Sequence, residues 1–597
     1  MDKVLKRNEI DDKYKWNLKD IYENAYAFNS DFEYVEGELS ALITLKNNAF
    51  KSYESFEKYL KKDEELERKL YNLEVYASLY SDQDKNNTDA QSLLSRVESL
   101  ISKYDSETSD FVPRMLDVGE EKIKSFLITP YLKEYKHTID NIFREKDHSL
   151  SKEEEKVISA YSRVLNSSSD TASYLLNTDT HFESVKDKDG KEHELNESLY
   201  SLYIRSDDRI LRKNAFENLY KGYKNILNSL TSTYSSVCLC DSTSVKLRGY
   251  KSSLEMYLYP KNISTKLYDN LIKTVRNNLD SLYEYYDLKK KILGYSEYHL
   301  YDTYTSITNM PDKKYTFMEA KEIVKSALGI MGDEYIKALD TEFNNRWIDV
   351  YPNVGKRGGG YQVGSYDTHP YILLNFNGTL NDVSTLAHES GHAMHTYFAN
   401  KYNSYINSNY PIFLAEIAST TNELLLSDYM YKNSKSTEEK KYILNERLDL
   451  YKATIYRQTM FAEFELYAHE LSDNDMPITG EDLCNKYLEF NKDYFGDAVV
   501  VDDSIKYEWE RIPHFYTPFY VYQYATSLCI ASYIADNIIK ETKGFKDKYI
   551  EFLKKSGTDY PLEVLKIIGI DLNDTKVFES SLSMFKNDLK ELEKLYK

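Results

Sequence analysis

Long apolar runs are missing from this chain. No stretch approaches the ~18 consecutive apolar residues of a membrane span, so none is read. Cysteine is scarce: Cys238, Cys240, Cys484 and Cys529 are too few and too irregular for a disulfide framework. Cys238-x-Cys240 also lacks the two-residue gap of a redox or zinc-ribbon pair, which leaves buried or neutral thiols in a reducing cytoplasm. Behind the charges of Met1-Asp2-Lys3-Val4-Leu5-Lys6-Arg7 there is no apolar core, so no signal peptide is expected. Positive charge is not in excess either. A formal net charge of −20 excludes a nucleic-acid-binding surface and an anionic membrane as the expected partners.

With 41% hydrophobic and 29% charged residues the chain reads as soluble and globular, and 597 residues suffice for a large core and more than one subdomain. From about residue 20 to 110 apolar positions recur every three or four residues. Leu66, Leu70, Leu73, Ala77 and Tyr80 form one such stripe, which Asp82-Gln83-Asp84-Lys85-Asn86-Asn87 ends. Tyr14-Lys15-Trp16-Asn17-Leu18 is the first anchor expected to dock on a core. Helices are expected to about residue 176, with Lys186-Asp187-Lys188-Asp189-Gly190-Lys191-Glu192 as the turn of a small hairpin. Pro311-Asp312 and Thr316-Phe317-Met318 open a further helix. The expected divisions are an N-terminal helical region over 1–110, a second helical subdomain over 111–200 and a catalytic region over 201–590.

Near residue 345 the composition changes. Gly355, Gly358, Gly359, Gly360 and Gly364 crowd into a chain with 20 glycines, where a small sheet is expected. The phosphate-cradle pattern is absent, so flexible backbone beside an extended ligand is the better reading. Tyr371-Ile372-Leu373-Leu374-Asn375-Phe376 reads as a strand whose exposed edge can hold a peptide backbone. After the Asn377-Gly378 turn, Asn381 or Asp382 is placed to cap a helix.

That helix carries His388-Glu389-Ser390-Gly391-His392 in a chain of only 11 histidines. Two histidines four apart project from one helix face, where they can grip a single Zn²⁺. Glu389 is placed as the carboxylate that takes a proton from a water activated by the metal. A catalytic zinc usually has three protein ligands and one open position. The helix expected over Phe413-Leu414-Ala415-Glu416-Ile417-Ala418-Ser419-Thr420-Thr421-Asn422-Glu423 supplies the third, Glu416. Glu423 lies about 10 Å further along the axis, at about 1.5 Å per residue, and is read as the hydrogen-bond acceptor for a ligand histidine. His395 is left to packing or a supporting contact, His193 to the surface, and His469 to a satisfied core or surface position. In residues 514–524 four tyrosines follow one histidine. His514, Tyr520 and Tyr524 are the candidate donors to a reaction oxyanion, the two tyrosines sharing a face if the segment is helical there.

These stretches together resemble the oligoendopeptidase F branch of the M3 metallopeptidases. The resemblance rests on His388-Glu389-Ser390-Gly391-His392, on Phe413-Leu414-Ala415-Glu416, and on Ile512-Pro513-His514-Phe515-Tyr516 with Tyr520-Val521-Tyr522-Gln523-Tyr524-Ala525-Thr526. Trp16-Asn17-Leu18 and Gly355-Lys356-Arg357-Gly358-Gly359 are similar too, whereas Ser527 departs from the glycine common in that branch. The resemblance implies a mostly α, two-lobed fold with a small β-sheet beside the motif helix and an enclosed substrate channel. It implies one zinc per chain on His388, His392 and Glu416, with Glu389 as base and His514 with Tyr520 or Tyr524 as donors. The implied activity is cleavage of internal bonds in short peptides. The alternatives are a dipeptidyl carboxypeptidase or carboxypeptidase of the same chemistry, and a helical binding protein with a structural zinc.

Overall fold

The structure is a computed structural model that describes residues 4–308 and 313–597. Met1-Asp2-Lys3 and Pro311-Asp312, on which two sequence expectations bear, lie outside the described residues. The neighbouring helix starts at Phe317, where Thr316 and Glu319 close a capping box. Helices dominate, with a two-stranded and a three-stranded sheet among the described residues. No helix of these residues is long and apolar enough to cross a membrane. Two compact units emerge, each assembled from separated stretches of chain.

The first unit comprises Met1–Lys146, Asp312–Met430 and Ile534–Ile570. Its opening helices, Ala25–Asn48, Tyr53–Asp82 and Thr88–Thr108, start at Asn24, Ser52 and Asn87, whose side chains accept from main-chain N–H groups of the first turn. Leu66, Leu70, Leu73 and Ala77 are buried as the period demands, together with Phe28, Phe32, Phe56 and Val97. Trp16 docks as an anchor: it is buried and meets Tyr371 edge-on at 6.3 Å.

The hairpin of the second unit pairs strands β1 (Val185–Lys186) and β2 (Glu192–His193) around the expected turn. His193 bonds Asp187 within it at 2.8 Å. The first unit's sheet consists of β3 (Ile348–Asp349), β4 (Tyr361–Val363) and β5 (Tyr371–Leu373), in the order β3-β5-β4. β5 runs parallel to β3 and antiparallel to β4. This corrects one expectation, because β5 is the central strand and has no free edge; β4 is an outer strand. The unbroken run Tyr371-Ile372-Leu373-Leu374 belongs to a strand covered on both faces, and all four residues are buried.

The glycine-rich connection is tied down by charge. The Lys356 side chain is buried, pairs with Asp349 at 2.7 Å and donates to the carbonyls of Asp349, Tyr351 and Leu374. Asp82 accepts from Arg357 and from the Tyr361 hydroxyl.

The second unit comprises Asp147–Pro311, Tyr431–Tyr533 and Asp571–Lys597. Helices Leu227–Arg248, Arg457–Asp473 and Gly480–Phe495 enclose a core of large rings, among them Tyr234, Phe464, Tyr487, Trp509 and Phe515. Glu508 is buried there against Arg457 and accepts from the hydroxyls of Tyr220 and Tyr487, so tyrosine serves this core both as apolar filler and as donor.

Candidate active site

The motif helix is Leu380–Tyr402. Its cap is Thr379 and neither Asn381 nor Asp382: the Thr379 hydroxyl accepts from the Asp382 N–H, and the Asp382 carboxylate accepts from that of Thr379. The helix therefore begins at Leu380, two to three residues before either of those caps would start it. The acidic helix, Ile412–Asn433, packs against it unusually closely. A Cβ on Gly391 would stand 2.5 Å from Ser419 Cα and 2.7 Å from the Ala418 carbonyl oxygen, both main-chain atoms. Only glycine fits there, and its presence lets Glu416 reach the histidines.

Three atoms converge as a result. His388 Nε2 and His392 Nε2 are 3.2 Å apart, and Glu416 Oε2 lies 3.6 Å from the first and 3.7 Å from the second. Among the described residues this is the one grouping of side chains spaced to hold a metal ion. Ligands at ~2.0–2.1 Å on a tetrahedral zinc stand ~3.3–3.4 Å from each other, so the three separations fit three corners of such a site. Tautomers fit as well. His388 Nδ1 donates to Glu423 Oε1 at 2.5 Å, and the His392 ring is bonded to the main chain of Ala415, which turns both Nε2 atoms toward the cluster.

Burial disfavours charge on the His388 ring, but the hydrogen bond and charge of Glu423, with Glu389 and Glu416, outweigh it and hold its pKa up at about 9. At His392 burial, followed by the charge on His388, pushes the pKa down to about 3.

Glu389 is buried, and its Oε2 has no hydrogen-bond partner among the described residues. Burial raises its pKa to about 7 against the lowering effect of His388, which suits a base working near neutrality. The glycine-rich stretch approaches it: a Cβ on Gly360 would stand 3.5 Å from Glu389 Oε1 and 3.1 Å from Thr385 Cγ2. One neighbour was not foreseen. Glu342, buried on helix Asp333–Asn344, accepts from the Ser390 hydroxyl at 2.6 Å, and its pKa is pushed up to about 8 by burial. Its signal in sequence is only a lone acid on an amphipathic helix.

His395 takes no part in the cluster. It is fully buried, stacks on Tyr410 at 3.7 Å and bonds Ser556 at 2.6 Å. His469 is a core residue with a partner that sequence proximity could not reveal, Asp241, at 3.0 Å.

In the second unit His514, Tyr520 and Tyr524 form a group of their own. Their ring centroids lie 5.4–6.2 Å apart, and the Tyr524 hydroxyl is 3.3 Å from His514 Nε2. All three are half-buried, whereas Phe515, Phe519, Val521 and Tyr522 around them are buried. The helix starts only at Tyr522, so Tyr520 precedes it, and the two tyrosines meet across a turn and not along one helical face.

A model of peptidase family M3 matches residues 202–584, and one described as oligopeptidase F matches residues 115–182. The chain belongs to peptidase family M3. Oligopeptidase PepF of Bacillus subtilis is 39% identical over 590 residues, covering 99% of this chain and 88% of that protein. An oligoendopeptidase F homolog of Borreliella burgdorferi is 38% identical over 99% of this chain and 100% of that one. A crystal structure of oligoendopeptidase-F from Enterococcus faecium matches with a TM-score of 0.74 at 32% identity, over 95% of this chain and 98% of that one. A Chlamydophila abortus structure matches with a TM-score of 0.93 at 35% identity, over 99% and 100%. These relatives set this M3 peptidase in the oligoendopeptidase F branch, a metalloendopeptidase with the His388, His392 and Glu416 cluster in its first unit.

Proposed function

We propose that this M3 peptidase is a zinc-dependent oligoendopeptidase that hydrolyses internal bonds of short unstructured peptides. The observation that carries the reading is the convergence of His388 Nε2, His392 Nε2 and Glu416 Oε2 at 3.2–3.7 Å, with a buried Glu389 beside them. Two imidazoles and one carboxylate are a donor set suited to catalytic zinc, with a fourth position left for water or substrate. When bound, the ion supplies Lewis acidity that polarises the scissile carbonyl and acidifies a water molecule.

The chain's own groups do the rest. Glu389 accepts a proton from water as the water oxygen bonds to the scissile carbon, then gives that proton to the departing amine nitrogen as the C–N bond breaks. Glu423 holds His388 with Nδ1 protonated and Nε2 free to ligate. His514 with Tyr520 or Tyr524 donates to the oxyanion, a role taken from the family resemblance and supported by their mutual contact and half-exposure. The substrate backbone docks on the outer edge of β4, whose main-chain hydrogen bonds select extended chain more than sequence. A folded protein would first have to unfold, at typically ~5–15 kcal/mol, to present such a chain.

Mass-spectrometric mapping of products tests the reading against exopeptidase action. Peptides blocked at both termini are cut at internal bonds, and catalytic efficiency falls as one scissile sequence is embedded in longer unstructured chains. Cleavage confined to free C-termini would assign the chain to the dipeptidyl carboxypeptidase alternative.

A further inference from the structure

In the second unit the turn ahead of Tyr520 is held in an unfavourable backbone conformation. Phe519 has φ +53°, in the left-handed region. That conformation is unfavourable for an ordinary side chain, and such residues persist where the surroundings over-determine them. Here the surroundings act twice. The buried Phe519 ring lies among His469, Tyr257 and Tyr268, at centroid separations of 4.7, 5.6 and 6.0 Å. Its main-chain N–H donates to Glu465 Oε1 at 2.7 Å.

Glu465 is itself an anomaly. It is 0% exposed on helix Arg457–Asp473, and its Oε2 has no hydrogen-bond partner among the described residues. Burial pushes its pKa up to about 8, although His469 and the Phe519 N–H both lower it. Filling this volume alone would favour an apolar side chain, because a half-satisfied carboxyl in a core is a cost. The group behind it is fixed in turn. His469 Nδ1 donates to the main-chain oxygen of Glu465 at 2.9 Å, its Nε2 to Asp241 at 3.0 Å, and the Tyr257 hydroxyl to Asp241 at 2.8 Å. A buried acid is thus spent on one strained N–H, and the next residue is Tyr520.

We propose that Glu465 is a positioning residue whose carboxyl pins the left-handed Phe519 turn, so that Tyr520 stays in register with His514 and Tyr524 as one set of donors. This rests on the reading above that those three groups serve the oxyanion. Released from Glu465, Phe519 relaxes toward negative φ and carries Tyr520 away from the other two rings.

The test compares Glu465→Leu, which removes the acceptor, with Glu465→Gln, which keeps a carbonyl oxygen in its place, both in the full-length enzyme. Hydrogen–deuterium exchange over residues 514–524 reads the pin, and kcat and KM read its consequence. Glu465→Leu is expected to speed exchange in that segment and to lower kcat ~10-fold or more with KM held within ~3-fold. Glu465→Gln restores both readouts to within ~3-fold of the parent, as expected where the neutral amide keeps the hydrogen bond. In a background already carrying His514→Ala, Tyr520→Phe and Tyr524→Phe, Glu465→Leu costs no more than ~2-fold further, since the two changes remove one function. Unchanged exchange in Glu465→Leu overturns the pin. Faster exchange with unchanged kcat, while the donor variants are impaired, overturns the positioning role. Full activity in the donor variants themselves removes the reading beneath the proposal, a failure told apart because the exchange result is independent of turnover.

Discussion

The His388–His392 pair stands on one uninterrupted helix of 23 residues, and its third partner comes from a helix packed against it through Gly391. The His514–Tyr524 group stands instead on a short 3-10 turn over Pro513–Tyr516, a left-handed Phe519 and the first turn of the next helix. Helical periodicity positions the first set, and even the supporting bond from Glu423 comes from one of the same two helices. The second set depends on contacts from residues far away in sequence, Glu465 and His469 above all. A site of the first kind tolerates change in its surroundings and fails when a named residue is lost. A site of the second kind fails when the surroundings move.

The largest expected effect breaks the first set at its base. Glu389→Gln keeps size and polarity, so metal content stays at the parent level while turnover falls ~10²–10⁴-fold. Near-parental hydrolysis by that variant, with contaminating protease excluded, would hand the base role to another residue. Next come the donors: His514→Ala and the relevant Tyr→Phe are each expected to lower kcat ~10–10³-fold with a smaller change in KM. Steady-state kinetics on the three single variants checks this, and equal activity in all of them would return the group to core packing. Glu423→Ala sharpens the comparison, because only a supporting hydrogen bond is removed. Metal affinity is expected to drop ~10–100-fold with kcat of the loaded enzyme changing less, read by titration against a competing chelator. Gly391→Ala is the mildest. Overpacking two main chains costs ~1–3 kcal/mol, seen as a lower melting temperature, together with weaker metal retention as Glu416 is pushed outward.

The parts of this picture that follow from local periodicity were legible in the sequence. The motif helix, the acidic helix with Glu416 ahead of Glu423, the stripe of Leu66, Leu70 and Leu73, and the hairpin at Gly190 all rest on spacings of two, three or four residues. What depended on partners distant along the chain was not. The place of β5 in the middle of its sheet requires β3 and β4, although its unbroken apolar run already favoured a strand covered on both faces. His469 finds Asp241 across 228 positions, and Glu465 meets Phe519 across 54. In a chain with 57 tyrosines the sequence cannot separate Tyr520 and Tyr524, half-buried beside His514, from Tyr522, buried between them. Glu342 is hidden for the same reason, since its meaning depends on Ser390 lying opposite.

The central claim is that His388, His392 and Glu416 together hold one zinc ion. Elemental analysis of the purified protein, beside His388→Ala, His392→Ala and Glu416→Ala, tests it most directly. The account expects about one zinc per chain in the parent and close to none in each variant, with helical content preserved by circular dichroism. Full zinc retained by any one of the three variants would contradict it.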